Sequence, residues 1–67
     1  MNNDLRERRG ESGESQADLA DAVGVTRQTI NAIERGRYDP SLELAFKLAA
    51  HFDCAVEDVF DPDLDGE

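Results

Sequence analysis

Arg27, Gln28 and Asn31 are the residues of this chain whose types and spacing carry the most definite chemistry. A guanidinium fork matches the O6 and N7 acceptors of guanine, and a carboxamide matches N6 and N7 of adenine. Side chains placed at positions one, two and five of a helix lie near its N-terminal end, which is how a recognition helix offers such groups to the major groove of DNA. Thr26, just before them, is an N-cap residue, with a side-chain oxygen that can accept from a free N–H of the first turn.

Such a helix needs a second one to hold it. Leu19, Ala20 and Val23 form the apolar stripe of a preceding helix, and Ile30 and Ile33 that of the helix bearing Arg27, at the three- and four-residue spacing that puts side chains on one face. Gly24 lies between the stripes, where the chain must leave a helix in a left-handed conformation that glycine reaches without steric cost, and the methyl of Ala20 allows a close approach. Residues 16–34 therefore read as a helix-turn-helix.

The rest of the chain is expected to fold around this unit. Helix 1 is predicted over residues 2–12, weakly specified because Leu5 is almost its only apolar residue. Helix 2 runs from Gln16, after Ser15, to about Val23, and helix 3 from Thr26 to about Glu34. A turn-rich connection, Arg35 to Pro40, leads to Ser41, the cap of helix 4. Leu42, Leu44, Ala45, Phe46, Leu48, Ala49 and Phe52 make helix 4 apolar around most of its circumference, as expected for the central helix of a bundle. Val56, Val59 and Phe60 mark a short helix 5. Residues 1–60 make one DNA-binding domain and 61–67 an acidic tail with no periodic pattern. Short strands from the two chain ends could extend the bundle, although no pattern specifies them.

With 67 residues the chain has room for a single core. No stretch is long enough to cross a membrane and no charged-then-apolar leader is present, so a soluble cytoplasmic protein is expected. Cys54 lies between Phe52 and Val56 and is expected to be half-buried against the core. His51 has no histidine or cysteine at ligand spacing and is expected on the outer side of helix 4 without a metal. No phosphate-cradling glycine loop and no nucleophile constellation appears. Neither an enzyme nor a cofactor, metal or small-molecule site is expected.

Charge complicates this reading, for a net charge of −9 and seven basic against 16 acidic residues are unusual for a partner of DNA. The distribution helps: no acid lies between Gln28 and Ile33, Arg27, Arg35 and Arg37 cluster in helix 3 and the turn after it, and no basic residue follows Lys47. One lysine against six arginines on an acidic background looks like the proteins of salt-loving microbes. An alternative function, an interaction module such as an antitoxin or anti-repressor with an acidic surface, draws on the same net charge. A mimic of DNA would also carry acids on helix 3, and none lies between Thr26 and Ala32.

The strings Val25-Thr-Arg-Gln-Thr-Ile-Asn-Ala-Ile-Glu34, Gly36-Arg-Tyr-Asp-Pro-Ser-Leu42 and Glu57-Asp-Val-Phe60 resemble the small Xre/Cro/C1-type repressors, across Ser15 to Phe60. The resemblance implies an all-α, five-helix, lambda-repressor-like domain with its helix-turn-helix at helices 2 and 3. It implies a transcriptional regulator, a repressor bound to a palindromic operator. Arg27, Gln28 and Asn31 would face bases, while Gln16, Thr26, Arg35, Arg37, Tyr38 and Ser41 would hold phosphates, a helix start being a natural anion site. Arg9 and Glu34 match a family ion pair between helix 1 and the end of helix 3. Arg8 and Glu14 stand where that pattern has apolar residues, each replacing burial worth about 1.5–3 kcal/mol. One such module makes few base contacts, so a homodimer on double-stranded DNA is expected, with Val56, Val59, Phe60 and Leu64 as its interface.

Overall fold

The computed structural model describes residues 2–61. Five helices follow in order: α1 (Leu5–Ser12), α2 (Gln16–Val23), α3 (Arg27–Glu34), α4 (Leu42–His51) and α5 (Val56–Val59). Two short strands, β1 (Asn2–Asn3) and β2 (Phe60–Asp61), pair antiparallel with Asn2 opposite Asp61 and Asn3 opposite Phe60. The expected helix 1 is thus shortened, because Asn2 and Asn3 join the strand pair instead. Phe60, expected in helix 5, likewise lies in a strand.

Local chemistry sets the helix boundaries. Ser15, Thr26 and Ser41 each accept from a backbone N–H three residues on, at 3.0, 3.2 and 3.1 Å. Asp18 completes a capping box by accepting from the N–H of Ser15 at 3.1 Å. Gly24 ends α2 at φ +79°, and the N–H of Val25 closes the corner on the carbonyl of Ala20 at 2.9 Å. At the start of α1 a neighbour takes over from the cap residue. Asn3 Oδ1 accepts from the N–H of Leu5 at 3.2 Å, and Asn3 Nδ2 donates to the carbonyl of Ile33 at 2.7 Å, so one carboxamide serves the start of α1 and the end of α3.

Leu5, Leu19, Ile30, Ile33 and Leu48 are fully buried, with Ala20, Val23, Leu44, Ala45, Ala49, Val59 and Phe60 around them. Val25, Phe52, Cys54 and Val56 pack against this cluster half-buried, as expected for Cys54. Helix α4 departs from the expectation of burial around most of its girth. Leu42 is 70% and Phe46 57% exposed, because neighbours cover only the face bearing Leu44, Ala45, Leu48 and Ala49.

Polar contacts hold α1 where apolar ones are scarce. Arg9 Nε and Nη2 donate to Glu34 Oε2 and Oε1 at 2.8 and 3.2 Å, a two-pronged pair with side chains only 17% and 4% exposed. Gln16 Nε2 donates to Glu34 Oε1 at 3.0 Å, and Arg9 Nη1 to the carbonyl of Glu14 at 3.1 Å. The charges expected to weaken the core sit at its margin with partners of their own. Arg8 pairs with Asp4 at 3.0 Å, while Glu14 accepts from the Ser12 hydroxyl at 2.7 Å and lies 2.7 Å from His51 Nε2. His51 is on the outer side of α4 as expected, but bonded to the corner between α1 and α2 rather than solitary.

Stranding Glu34 should be expensive. Arg9→Met is expected to destabilise the fold by about 3 kcal/mol, the low end for removing one partner of a buried pair, seen as a lower urea midpoint at unchanged slope. The Arg9→Met/Glu34→Met double variant should recover part of that loss. If the double variant is as unstable as the single losses added together, the ion pair is not what the two side chains contribute.

The Ser12 hydroxyl, and then His51, hold the Glu14 carboxyl below the usual carboxylate range. A depressed value in the fold means stability that is present at neutral pH and lost as pH falls through that lowered value. Glu14→Ala should therefore lower the thermal midpoint at pH 7 by about 2–5 °C, the gap from the parent closing in acid, once the carboxyl is protonated in the folded state too. Circular dichroism melts under both conditions test this, and a gap of equal size in acid would assign the effect to packing.

Candidate nucleic-acid interface

Helix α3 presents one face to the core through Ile30 and Ile33 and leaves its N-terminal end in solvent. Arg27 and Gln28 are exposed at the first two positions, and Asn31 is half-buried one turn later. No carboxylate lies in the first turn of α3, so nothing on the helix neutralises Arg27. Thr26 Oγ1 also lies 3.0 Å from Thr29 Oγ1, which leaves its hydroxyl fully engaged at the helix start.

The connection after α3 carries the next cations. Arg35 ends the helix and Gly36 follows at φ +74°, while the N–H groups of Gly36 and Arg37 donate back to the carbonyls of Ile33 and Ala32, both at 2.9 Å. This turn holds Arg35 and Arg37 on the exposed side, beside Tyr38, which is 49% exposed. The Tyr38 ring lines an open cleft with Thr29, Ser41, Leu44 and Lys47, between the start of α3 and the start of α4.

The sequence-predicted residues therefore divide by how free their side chains are. The side chains of Arg27, Gln28, Asn31, Arg35, Arg37 and Tyr38 have no hydrogen-bond or ion-pair partner among the described residues. Ser41 and Thr26 accept through their hydroxyl oxygens as caps, so each helix start offers its remaining N–H groups, and Ser41 keeps its hydroxyl hydrogen to donate. Gln16 is committed by one N–H to Glu34, and the second hydrogen of its amide stays available.

The predicted dimer residues fare differently. Val59 and Phe60 are 2% and 5% exposed, part of this chain's own core, because the strand pair folds the end of α5 inward; they present no surface to a second copy. Val56 is half-buried, and Leu64 lies outside the described residues. Arg6 went unmarked in the sequence. It is exposed on α1 and lines a cleft with Arg9, Gln16, Asn31, Glu34 and Arg35, and one arginine among the three of a weakly specified helix carries no pattern that could have pointed there.

Among the described residues no helix is long and apolar enough to cross a membrane, and no group of histidine, cysteine or carboxylate side chains could hold a metal ion. Comparison with known proteins agrees with the geometry. The helix-turn-helix family HTH_3 matches residues 5–59. The chain is 53% identical over 60 residues to the HTH-type transcriptional regulator MJ0272 of Methanocaldococcus jannaschii, covering 90% of this chain and 91% of that protein. Its fold is similar to that of the restriction-modification controller protein C.AhdI from Aeromonas hydrophila, with TM-score 0.76 and 38% identity over 84% of this chain and 85% of the other. It is also similar to the biofilm regulator SinR in complex with DNA, with TM-score 0.71 and 31% identity over 79% of this chain and 86% of the other. The five-helix, lambda-repressor-like arrangement, the capped helix pair and these relatives together place the chain in the HTH_3 helix-turn-helix family, one of transcriptional regulators rather than of enzymes.

Proposed function

We propose that the protein is a sequence-specific DNA-binding repressor that acts as a homodimer, with α3 in the major groove. The carrying observation is the unpartnered pair Arg27 and Gln28 at the exposed start of α3, in a chain with more than twice as many acids as bases. Arg27 reads guanine and Gln28 adenine, with Asn31 one turn behind. Gln16, Arg35, Arg37 and Tyr38 hold phosphates, together with the groups at the starts of α3 and α4 that Thr26 and Ser41 cap. Repression follows from occupancy, since a dimer seated across a promoter excludes polymerase without any further surface. The absence of acids from the first turn of α3 speaks against an acidic mimic of DNA.

Arg27→Ala and Gln28→Ala should each cost about 1–3 kcal/mol of operator affinity and relax preference at one base pair, with the melting curve unchanged. The operator is found first by footprinting DNA upstream of the protein's own gene, and affinity is then measured by fluorescence anisotropy across potassium chloride. Wild-type affinity in both variants would remove α3 as the reading helix. The acidic surface fits adaptation to high salt: acids brought near phosphates retain cations and offset their release, so affinity should fall with a slope shallower than about −0.9 per phosphate contact. A steep slope in a protein folded at low salt would remove that adaptation alone.

Two-fold pairing sets two recognition helices about 34 Å apart, one turn of DNA. The apolar surface for it is on α4, where Leu42 and Phe46 are exposed four residues apart and so share a face. Glu43 and Lys47 flank them, 3.5 Å apart and both exposed. If α4 of a second copy crosses antiparallel, Glu43 meets the opposite Lys47, so the face is self-complementary in charge as well as apolar. Phe46→Glu should give a folded monomer by light scattering and lower operator affinity at least about tenfold, the loss expected when one module binds alone. A wild-type monomer at high protein and salt concentration would defeat the dimer.

A further inference from the structure

The cations of this chain fall into two groups. Among the described residues Arg8 is held by Asp4, Arg9 by Glu34 and Lys47 by Glu43, while Arg6, Arg27, Arg35 and Arg37 have no carboxylate partner. In a chain with 16 acids and seven basic residues, these four guanidiniums have no carboxylate at ion-pair distance among the described residues. Three of the four belong to α3 and the turn after it. The fourth, Arg6, comes from α1.

Arg6 is not remote from the others. It lines a cleft of about 230 Å³ where α1, the start of α2 and the end of α3 meet, with Arg9, Gln16, Asn31, Glu34 and Arg35. Three guanidiniums against one carboxylate leave two positive charges in excess, and that carboxylate already accepts three hydrogen bonds from Arg9 and Gln16. Arg6 and Arg35 thus remain as free forks, with the second amide hydrogen of Gln16 and the carboxamide of Asn31 as further donors. The cleft is smaller than pockets for drug-sized ligands, about 300–1,000 Å³, and its polar lining gives an organic ligand little to bury against.

We propose that this cleft is a phosphate site, filled by a backbone phosphate of the DNA strand bordering the groove that α3 enters, and that Arg6 is the DNA contact supplied by α1. The proposal rests on the DNA reading of α3. Asn31 and Arg35 belong to both the cleft and that helix, so a strand held in the cleft lies beside the groove that α3 occupies.

The test uses a fluorescent duplex of mixed sequence about two helical turns long, titrated by anisotropy across potassium chloride. Arg6→Ala should weaken binding about three- to tenfold in dilute salt and make the log–log slope shallower by about 0.9, one phosphate's worth, with an unchanged melt. Arg8→Ala, whose guanidinium is held by Asp4, should leave the slope unchanged. If Arg6→Ala has wild-type affinity and slope while wild type binds the duplex, the site is wrong and the α3 reading stands. Failure of wild type to bind any duplex defeats both. A second arm adds potassium phosphate at constant ionic strength and follows the side-chain NMR signals of Arg6 and Arg35. Saturation by free phosphate below millimolar concentration with no change of slope in Arg6→Ala would assign the cleft to a free anion and overturn the DNA contact.

Discussion

The Glu34 carboxylate and the three N–H donors aimed at it are the point on which the arrangement of helices turns. Arg9 comes from α1, Gln16 from the first position of α2, and Glu34 closes α3, so one buried charge fixes three elements at once. Its side chain is almost out of water, which makes each missing donor costly and the geometry correspondingly specific. Helix α1 depends on it most, for Leu5 is the only buried apolar side chain that α1 contributes. A two-pronged ion pair and Asn3, which bridges α1 to Ile33, do for this helix what an apolar stripe does for the others.

What was legible in the sequence was what is local. Ser15, Thr26 and Ser41 cap the helices they precede, Gly24 takes the left-handed corner, and Ile30 and Ile33 point inward, because each depends on neighbours within one turn. What was not legible depends on distant chain. The strand pair joins Asn2 to Asp61, and asparagine is a poor strand former, so only the meeting of the chain ends specifies it. That pairing also turns Phe60 inward and takes it from the expected dimer surface. Glu14 looked like a defect because its partner His51 stands 37 residues away. The apolar run of α4 shows which residues want burial but not which ones the neighbours reach, and Leu42 and Phe46 are left outside. At the site, Arg27 and Gln28 were marked by their position after a cap, whereas Arg6 gained meaning only when α1 was set against α3.

Charge follows an economical division in this molecule. Arg8 and Arg9 are each paired with a carboxylate at hydrogen-bond distance, and Arg6, Arg27, Arg35 and Arg37 have no such partner among the described residues. Net charge is a poor guide to the partner for that reason.

The pairing of Asn2 with Asp61 spans nearly the whole described chain, and this sets an order of events. Contacts between α2 and α3 close short loops and need little chain to be ordered first, so the helix-turn-helix is the natural nucleus. The strand pair has the largest loop to close, forms late, and is the first to open when the native state fluctuates. Opening it releases the N-terminal end of α1 while the Arg9 clamp still grips the other end. The helix would then swing on that clamp as on a hinge pin, with α3 undisturbed, so hydrogen exchange should run faster at the first turn of α1 than anywhere along α3.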